Sequence, residues 1–165
     1  MTRSAVERRL VVHEGAQHAL LDDVGKKIVE QLQEDGRRPY ATIGRAVGLS
    51  EAAVRQRVQR LIDAGVMQIV AVTDPMQLGF ARQAMVGVRV SGDLEDTADQ
   101  LAEIPEVDYV VITAGSFDLL LEVVARNDDH LLEIIKQVRA VDGVLTTEAF
   151  TYLKLRKQTY SWGTA

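Results

Sequence analysis

The stretch ATIGRAVGLSEAAVRQRVQRL, residues 41–61, decides the fold of the first part of this chain. Ile43 and Val47 are four residues apart, as on one face of a helix. Gly44 beside them is small enough to let another segment pass close by, and Gly48 breaks the helix where the chain must turn. Leu49 follows as a candidate buried residue between two helices. The stretch therefore predicts two short helices joined at a glycine turn.

A second helix is predicted to begin after Ser50, which is a favourable N-cap residue. Its apolar side chains repeat at the spacing of one buried stripe, which comprises Val54, Val58 and Leu61. The opposite face is polar and rich in arginine. A helix-turn-helix with a basic second helix makes double-stranded DNA the leading partner. The alternative is an ordinary solvated face, because arginine is a good helix former and amphipathic surface helices are common.

The N-terminal part of a docked second helix meets base edges, so Ala52, Arg55 and Gln56 are the predicted base contacts. Arg57 and Arg60 lie further along and are predicted to touch phosphate. The complete candidate set for DNA contact is Arg38, Tyr40, Ser50, Ala52, Arg55, Gln56, Arg57, Gln59 and Arg60.

Charge is distributed unevenly along the chain. Residues 37–60 contain six arginines and one acid, whereas residues 65–165 contain eight basic and fifteen acidic residues. The whole chain has a formal net charge of −5. A polyanion is therefore expected to approach only the basic segment.

Composition limits the remaining possibilities. The 165 residues have room for one average domain or two small ones, and the absence of cysteine excludes disulfides and thiolate metal sites. No apolar run approaches the roughly eighteen residues of a membrane span, and residues 1–20 do not resemble a signal sequence. We expect a cytoplasmic, nucleoid-associated protein without membrane, metal or cofactor. Residues 1–20 form an arm to which the sequence assigns no function.

The segments around the helix-turn-helix are also patterned. Apolar positions within residues 21–32 predict a helix that packs under the other two, with Asp22 and Asp23 at its start. Residues 66–73 are rich in β-branched side chains and predict a strand or wing. Residues 74–83 are expected to be a linker. The DNA-binding domain is thus predicted to span residues 21–73.

Beyond the linker the pattern alternates between strands and helices. Strands are predicted at residues 84–90, 107–114, 117–125 and 144–155, with a tight turn at Gly115 and Ser116. Helices are predicted at residues 94–101 and 131–138. The order βαββαβ indicates a ferredoxin-like sandwich, in which two helices cover one face of a four-stranded antiparallel sheet. The overall fold class is α+β, a winged helix-turn-helix followed by this sandwich.

The third strand is apolar on both faces. Leu119, Leu121 and Val123 alternate with Leu120 and Val124. Since two helices cover only one face, the other is expected to pack against a second copy of the chain. The sequence therefore predicts at least a homodimer.

The order and spacing of these motifs resemble the Lrp/AsnC family of feast/famine transcriptional regulators over about residues 21–157. The resemblance is carried by Leu21-Asp22, Gly48-Leu49-Ser50, Arg57-Val58 and Gly115-Ser-Phe-Asp118. It implies that residues 84–157 sense an amino acid or related small metabolite and that dimers assemble into octamers. Residues 158–165, beyond the resemblance, are expected to be a C-terminal tail. The residues implied at the effector site are Ile112, Gly115, Ser116, Phe117 and Asp118.

Within this implied site, Asp118 is the natural partner of an ammonium group, and backbone donors near Gly115 suit a carboxylate. Glycine and aspartate are also ordinary turn residues, so a structural role is the alternative. Two other functions remain open: an architectural DNA-binding protein without an effector, and a small ferredoxin-like enzyme. The three scattered histidines and the absence of nucleophile, phosphate-loop or metal-ligand motifs argue against catalysis.

Overall fold

A computed structural model describes residues 21–164 of the chain. The predicted N-terminal arm, residues 1–20, lies outside the described residues. The described chain divides into two compact units. The first comprises residues 21–71 together with residues 157–164, and the second is Val72–Arg156. The C-terminal tail therefore belongs to the same unit as the first three helices.

The first unit begins with helix α1, Asp23–Glu34. Asp22 caps it, because its carboxylate accepts a hydrogen bond of 2.7 Å from the backbone N–H of Gly25. The buried face of α1 comprises Gly25, Ile28 and Leu32. Because Asp22 occupies the N-cap position, the helix starts two residues later than the sequence predicts, and it also ends two residues later.

Helices α2, Tyr40–Val47, and α3, Glu51–Asp63, form the predicted helix-turn-helix. Gly48 ends α2 in the left-handed conformation, with φ of 75°. The need for glycine at position 44 comes from the turn itself, because a Cβ there would lie 2.5 Å from the carbonyl oxygen of Leu49. Ser50 caps α3 through a 3.2 Å hydrogen bond from the N–H of Ala53. The predicted helix pair and its turn are confirmed.

The predicted strand or wing at residues 66–73 is wrong, because no strand is present there. Ile69, Val70 and Val72 are largely exposed. Side chains with high β propensity form a strand only when a neighbouring strand supplies the hydrogen bonds, and the first unit as described contains no strand. Among the described residues, the helix-turn-helix therefore has no β wing.

The second unit contains the predicted βαββαβ order. Its strands are β1, Arg82–Val90; β2, Val107–Ile112; β3, Leu119–Ala125; and β4, Val144–Thr151. Helix α4, Leu94–Ala102, follows β1, and helix α5, Asp128–Ala140, follows β3. The strands form one antiparallel sheet in the order β2-β3-β1-β4. The ferredoxin-like sandwich is confirmed.

Both helices pack on the same face of this sheet. The core contains alternate residues of β1 and β3, among them Val86, Val88 and Leu121, together with Leu101 of α4 and Ile134 of α5. The side chains between them on each strand point to the opposite face. We call this opposite face the open face, and it includes Met85, Gly87, Leu120, Glu122, Val124 and Phe150.

The connection between β2 and β3 is longer than the predicted tight turn. Residues 113–118 form a loop. A hydrogen bond of 2.9 Å from the N–H of Thr113 to the carbonyl oxygen of Asp118 closes this loop. The Thr113 hydroxyl also donates to the carbonyl oxygen of Phe117. The loop ends β2 two residues earlier and begins β3 two residues later than the sequence predicts, because its hydrogen bonds replace those of a strand ladder.

Candidate DNA-binding and ligand-binding sites

The outer face of α3 presents six of the nine predicted DNA contacts together. Val54, Val58 and Leu61 are buried, so the helix orientation is fixed. Five of the candidates are exposed on the opposite side, namely Ala52, Arg55, Gln56, Gln59 and Arg60. Ser50 is also exposed, at the N-terminal end of the same helix. The sequence pattern thus places these six residues on one accessible surface.

Arg55 is held in position by two neighbours. Its guanidinium lies 2.9 Å from Glu51 one turn earlier, and its Cζ lies 5.2 Å from the ring centroid of Tyr40. The cation–π contact with Tyr40 favours this position of the guanidinium, while the side chain stays mostly exposed. Tyr40 therefore has a positioning role that the sequence pattern alone does not reveal.

Arg57 has a partner of its own. Its Nη1 donates to both carboxylate oxygens of Asp22, at 2.8 and 2.9 Å. The hydrogen bond from Gly25 and the pairing with Arg57 lower the pKa of Asp22 below its ordinary value. This ion pair joins α3 to the start of α1. Arg57 is consequently less available for phosphate than Arg60, which is exposed at the end of the same face.

Two other candidate DNA contacts, Arg38 and Gln59, also form side-chain hydrogen bonds in the described structure. Arg38 donates to Glu34 at 2.9 Å and to Gln31 at 3.3 Å. Gln59 donates to Asp63 at 2.9 Å. These contacts are between exposed or half-buried groups and exchange readily with solvent. They orient the two side chains without preventing contact with a partner.

The loop at residues 113–118 contains most of the candidate ligand-binding residues. Gly115 and Ser116 are exposed, and Phe117 and Asp118 are half-buried. A Cβ on Gly115 would come no closer than 3.9 Å to another group, and its φ is not in the left-handed region. Neither packing against residues 21–164 nor the backbone conformation therefore requires glycine at position 115.

Asp118 has a structural role in addition to the proposed one. Its Oδ2 accepts a 2.8 Å hydrogen bond from the N–H of Val90, where the pairing of β1 with β4 shifts register. Its own N–H donates to the carbonyl oxygen of Val88. Among the described residues, none donates to the other carboxylate oxygen. One oxygen thus fixes the loop against β1, and the second accepts no hydrogen bond from residues 21–164.

The five candidate ligand residues do not share one face of the sheet. The ring of Phe117 covers Gly87 on the open face, where a Cβ on Gly87 would lie 2.6 Å from the ring. Phe117 also meets Phe150 edge to face, with ring centroids 6.0 Å apart. Ile112 pairs with Leu119, whose side chain is in the core, so Ile112 lies on the helix-covered side. The structure brings Gly115 to Asp118 together and separates Ile112 from Phe117.

The open face also contains a polar cluster that the sequence pattern did not reveal. Glu122 accepts a 2.9 Å hydrogen bond from the Gln83 amide and pairs with the Tyr152 hydroxyl. Burial, followed by the contact with Glu122, raises the pKa of Tyr152 to about 12. The available signal was the single charge in the apolar strand LLLEVVA.

No group of three or more His, Cys, Asp or Glu within residues 21–164 is arranged to hold a metal ion. His130 caps the end of β3 through a 3.2 Å hydrogen bond from the N–H of Arg126, and its Nε2 lies 3.6 Å from Glu106. No described helix is long and apolar enough to cross a membrane.

Comparisons with known proteins match both units. Residues 21–62 match the AsnC-type helix-turn-helix domain, and residues 83–162 match the Lrp/AsnC ligand binding domain. The chain is 33% identical over 142 residues to the HTH-type transcriptional regulator FL11 of Pyrococcus furiosus, covering 85% of this chain and 94% of that protein. It is 28% identical over 137 residues to the regulator LysM of Saccharolobus solfataricus, covering 83% and 96%.

Solved structures show the same similarity. The leucine response regulatory protein of Mycobacterium tuberculosis superposes with a TM-score of 0.75 at 26% identity, covering 85% of this chain and 100% of that chain. A transcriptional regulator of Neisseria meningitidis, solved as its L-Met complex, gives 0.72 at 28% identity, covering 86% and 95%.

Proposed function

The chain belongs to the Lrp/AsnC family of transcriptional regulators, and we propose that it binds specific DNA sequences under the control of an amino acid or related metabolite. The observation that carries this proposal is the outer face of α3. That face is exposed and basic. Its orientation is fixed because Ser50 caps the N-terminus of α3 and the apolar stripe on the opposite side of the helix is buried. The partner of such a face is the major groove of double-stranded DNA.

Within that face, Arg55 is the proposed base contact. Glu51 and Tyr40 limit its rotamers before DNA binds, which reduces the entropy lost on binding. Arg60 is the proposed phosphate contact. Arg57 contributes mainly by fixing α3 against the cap of α1, because its guanidinium is already paired with Asp22. This division of roles refines the expectation from the sequence, where both arginines were assigned to phosphate.

The proposed ligand site is the loop at residues 113–118. The unoccupied oxygen of Asp118 would accept the ammonium group of an amino acid, and the backbone at Gly115 would approach its carboxylate. The absence of any structural need for glycine at position 115 supports this proposal, because close approach of a ligand is another reason for glycine. The Neisseria relative, solved as its L-Met complex, adds support.

The proposed assembly is a homodimer that packs through the open face and associates further into octamers. Half-buried Met85, Leu120 and Val124 lie on that face with Phe150, which is 45% exposed. The carboxylate of Glu122 already has two donors and can be covered without being left unpaired. We further propose that the protein resides in the cytoplasm on the nucleoid, where its DNA partner lies.

A thermal-shift panel of amino acids and their keto-acid relatives tests the ligand proposal. A ligand that binds only the folded protein raises its melting temperature by mass action. The best ligand is then tested on Asp118→Asn, which keeps an oxygen acceptor for Val90 and removes the negative charge. Asp142→Asn is the matched control at an exposed loop position. We expect the shift to be lost only in Asp118→Asn.

DNA affinity is measured with and without the same ligand. A change in affinity supports a metabolite-controlled regulator. If no ligand alters either melting temperature or DNA affinity, the sensor proposal fails and an architectural DNA-binding protein is the better description. Steady turnover of a ligand by the purified protein would favour an enzyme instead.

A further inference from the structure

The C-terminal tail returns to the DNA-binding unit after the sheet is complete. Strand β4 ends at Thr151, and the described residues beyond it form no helix or strand. Residues 153–162 are exposed, whereas Gly163 and Thr164 are half-buried. Burial is thus confined to the last two described residues, which indicates a local docking point rather than general collapse of the tail.

The docking point is the outer face of α1. The Gln33 side chain pairs with both backbone groups of Gly163, donating from Nε2 to its carbonyl oxygen at 3.3 Å and accepting from its N–H at 3.0 Å. The hydroxyl of Thr164 donates to Glu30 at 2.6 Å. Glu30 and Gln33 are three residues apart and therefore neighbours on the helix surface. A primary amide can satisfy a donor and an acceptor at once, which a carboxylate or an amine cannot.

Glycine at position 163 is required by the backbone of the tail. Its φ is +75°, in the region that other residues rarely adopt, although none of the described groups beyond its chain neighbours lies within 4 Å of a Cβ there. The need for glycine is thus conformational rather than steric. One small set of complementary contacts therefore joins Gln33 to Gly163 and Glu30 to Thr164.

We propose that residues 163–164 dock on α1 of their own chain and form a second connection between the ligand-binding and DNA-binding units. The first connection is the segment between α3 and β1. The tail reaches α1, and α1 is joined to α3 through the pair of Asp22 with Arg57. Resting on the proposed function, this arrangement joins the C-terminal tail to the DNA-binding helix through α1.

The chain contains a single tryptophan, Trp162, which adjoins the docking point and is 78% exposed. Time-resolved fluorescence anisotropy of Trp162 therefore reports on the order of the tail. In the full-length protein we expect the anisotropy decay of Trp162 to contain a slow component, because a docked tail tumbles together with the folded unit. Gln33→Ala is expected to lose much of that component to nanosecond local motion. Gln137→Ala, an exposed glutamine on α5, is the matched control and should behave like the wild type.

Hydrogen exchange supplies a second, independent measurement. The Gly163 amide should be protected in the wild type and in Gln137→Ala, and should lose protection in Gln33→Ala. Thr164→Val removes the hydroxyl with little change in volume and should weaken the docking without abolishing it. Far-UV circular dichroism of each variant shows whether the helices are intact.

Equal anisotropy and equal exchange in Gln33→Ala and the wild type would overturn the proposal. A slow component that disappears on dilution would also overturn it, since the tail would then dock on another copy. Neither measurement involves DNA or a metabolite. Failure of the docking can therefore be distinguished from failure of the proposed regulatory function.

Discussion

Arg57 of α3 donates from one nitrogen to both carboxylate oxygens of Asp22, the residue that caps α1, at 2.8 and 2.9 Å. The two residues are 35 positions apart in the chain. The same carboxylate accepts the N–H of Gly25. A single aspartate therefore begins one helix and fixes the DNA-binding helix against it, and this dual role yields the first prediction.

Removing the charge of Asp22 should destabilise the first unit above the ordinary pKa of 3.8 but not at strongly acid pH. Asp22→Asn keeps the cap, because asparagine is also a good N-cap, but it loses the ion pair with Arg57. The folded-state pKa of Asp22 is lowered, so its charged form contributes stability above the ordinary value of 3.8, and this contribution is lost as pH falls through the lowered value.

Melting temperatures of the wild type and Asp22→Asn, measured from pH 7 to pH 2, check this prediction. The wild type should melt higher at pH 7, and the difference should close at acid pH. Added salt should also reduce it, because the pair is exposed. A difference that is independent of pH would show that the pair does not contribute as described.

Alanine at position 44 should disrupt the turn of the helix-turn-helix. A Cβ would lie 2.5 Å from the carbonyl oxygen of Leu49, which is backbone and cannot rotate away. We expect a cost of about 1–3 kcal/mol or more in chemical denaturation. Gly36→Ala is the control, since its Cβ would come no closer than 3.7 Å and its φ is not positive. That variant should be neutral or gain up to about 1 kcal/mol. Similar stability of the two variants would contradict the argument.

The two arginines on the outer face of α3 should differ in their effect on DNA binding. Arg55→Ala removes a proposed base contact and should cost about 1–3 kcal/mol at the cognate site while relaxing sequence preference. Arg60→Ala should weaken binding to all sequences alike and reduce the salt dependence. Fluorescence titrations with cognate and random duplexes at two salt concentrations separate these outcomes. Equal losses on both duplexes for both variants would refute the assigned roles.

Glycines 87 and 115 should respond differently to alanine. Gly87→Ala would place a Cβ 2.6 Å from the Phe117 ring, so we expect roughly 1–3 kcal/mol of destabilisation. Combining it with Phe117→Ala should relieve part of this cost, which a double-mutant cycle measures. Gly115→Ala should leave stability nearly unchanged, because its surroundings have room. If Gly115 contacts the ligand, the same variant should lose the ligand-induced thermal shift.

Tyr152 should ionise late in an alkaline titration. Its pKa is about 12, compared with an ordinary value of 10.0, because burial and the contact with Glu122 disfavour the phenolate. The difference in tyrosinate absorbance between the wild type and Tyr152→Phe measures the ionisation of the Tyr152 hydroxyl alone. In Glu122→Gln the ionisation should move to lower pH.

The sign of the stability effect follows from the raised pKa of Tyr152. Its contribution is fully present below pH 10 and is lost as pH rises from 10 towards 12. The wild type should therefore lose stability in this window more steeply than Tyr152→Phe. An ionisation near the ordinary value would mean that the cluster on the open face does not form.

Local patterns predicted the helices well and the strand ends poorly. The stripe of Val54, Val58 and Leu61 and the Ser50 cap fixed the rotation and start of α3, since both depend on neighbours within one helical turn. Residues 66–73 were predicted as a strand from β propensity, and the prediction was wrong because a strand needs a partner elsewhere. The loop after β2 was predicted too short because its closing hydrogen bonds come from Thr113.

The sequence by itself determined the helix-turn-helix, the βαββαβ order and the basic face of α3. These depend on periodicity, caps and turn glycines, which act between residues close in the chain. Only the tertiary structure decided that Arg57 pairs with Asp22, that Phe117 covers Gly87, and that the tail reaches Gln33 across 130 residues. The physical reason is that a hydrogen bond or ring contact requires groups a few ångströms apart, and sequence spacing does not specify which distant groups the fold brings together.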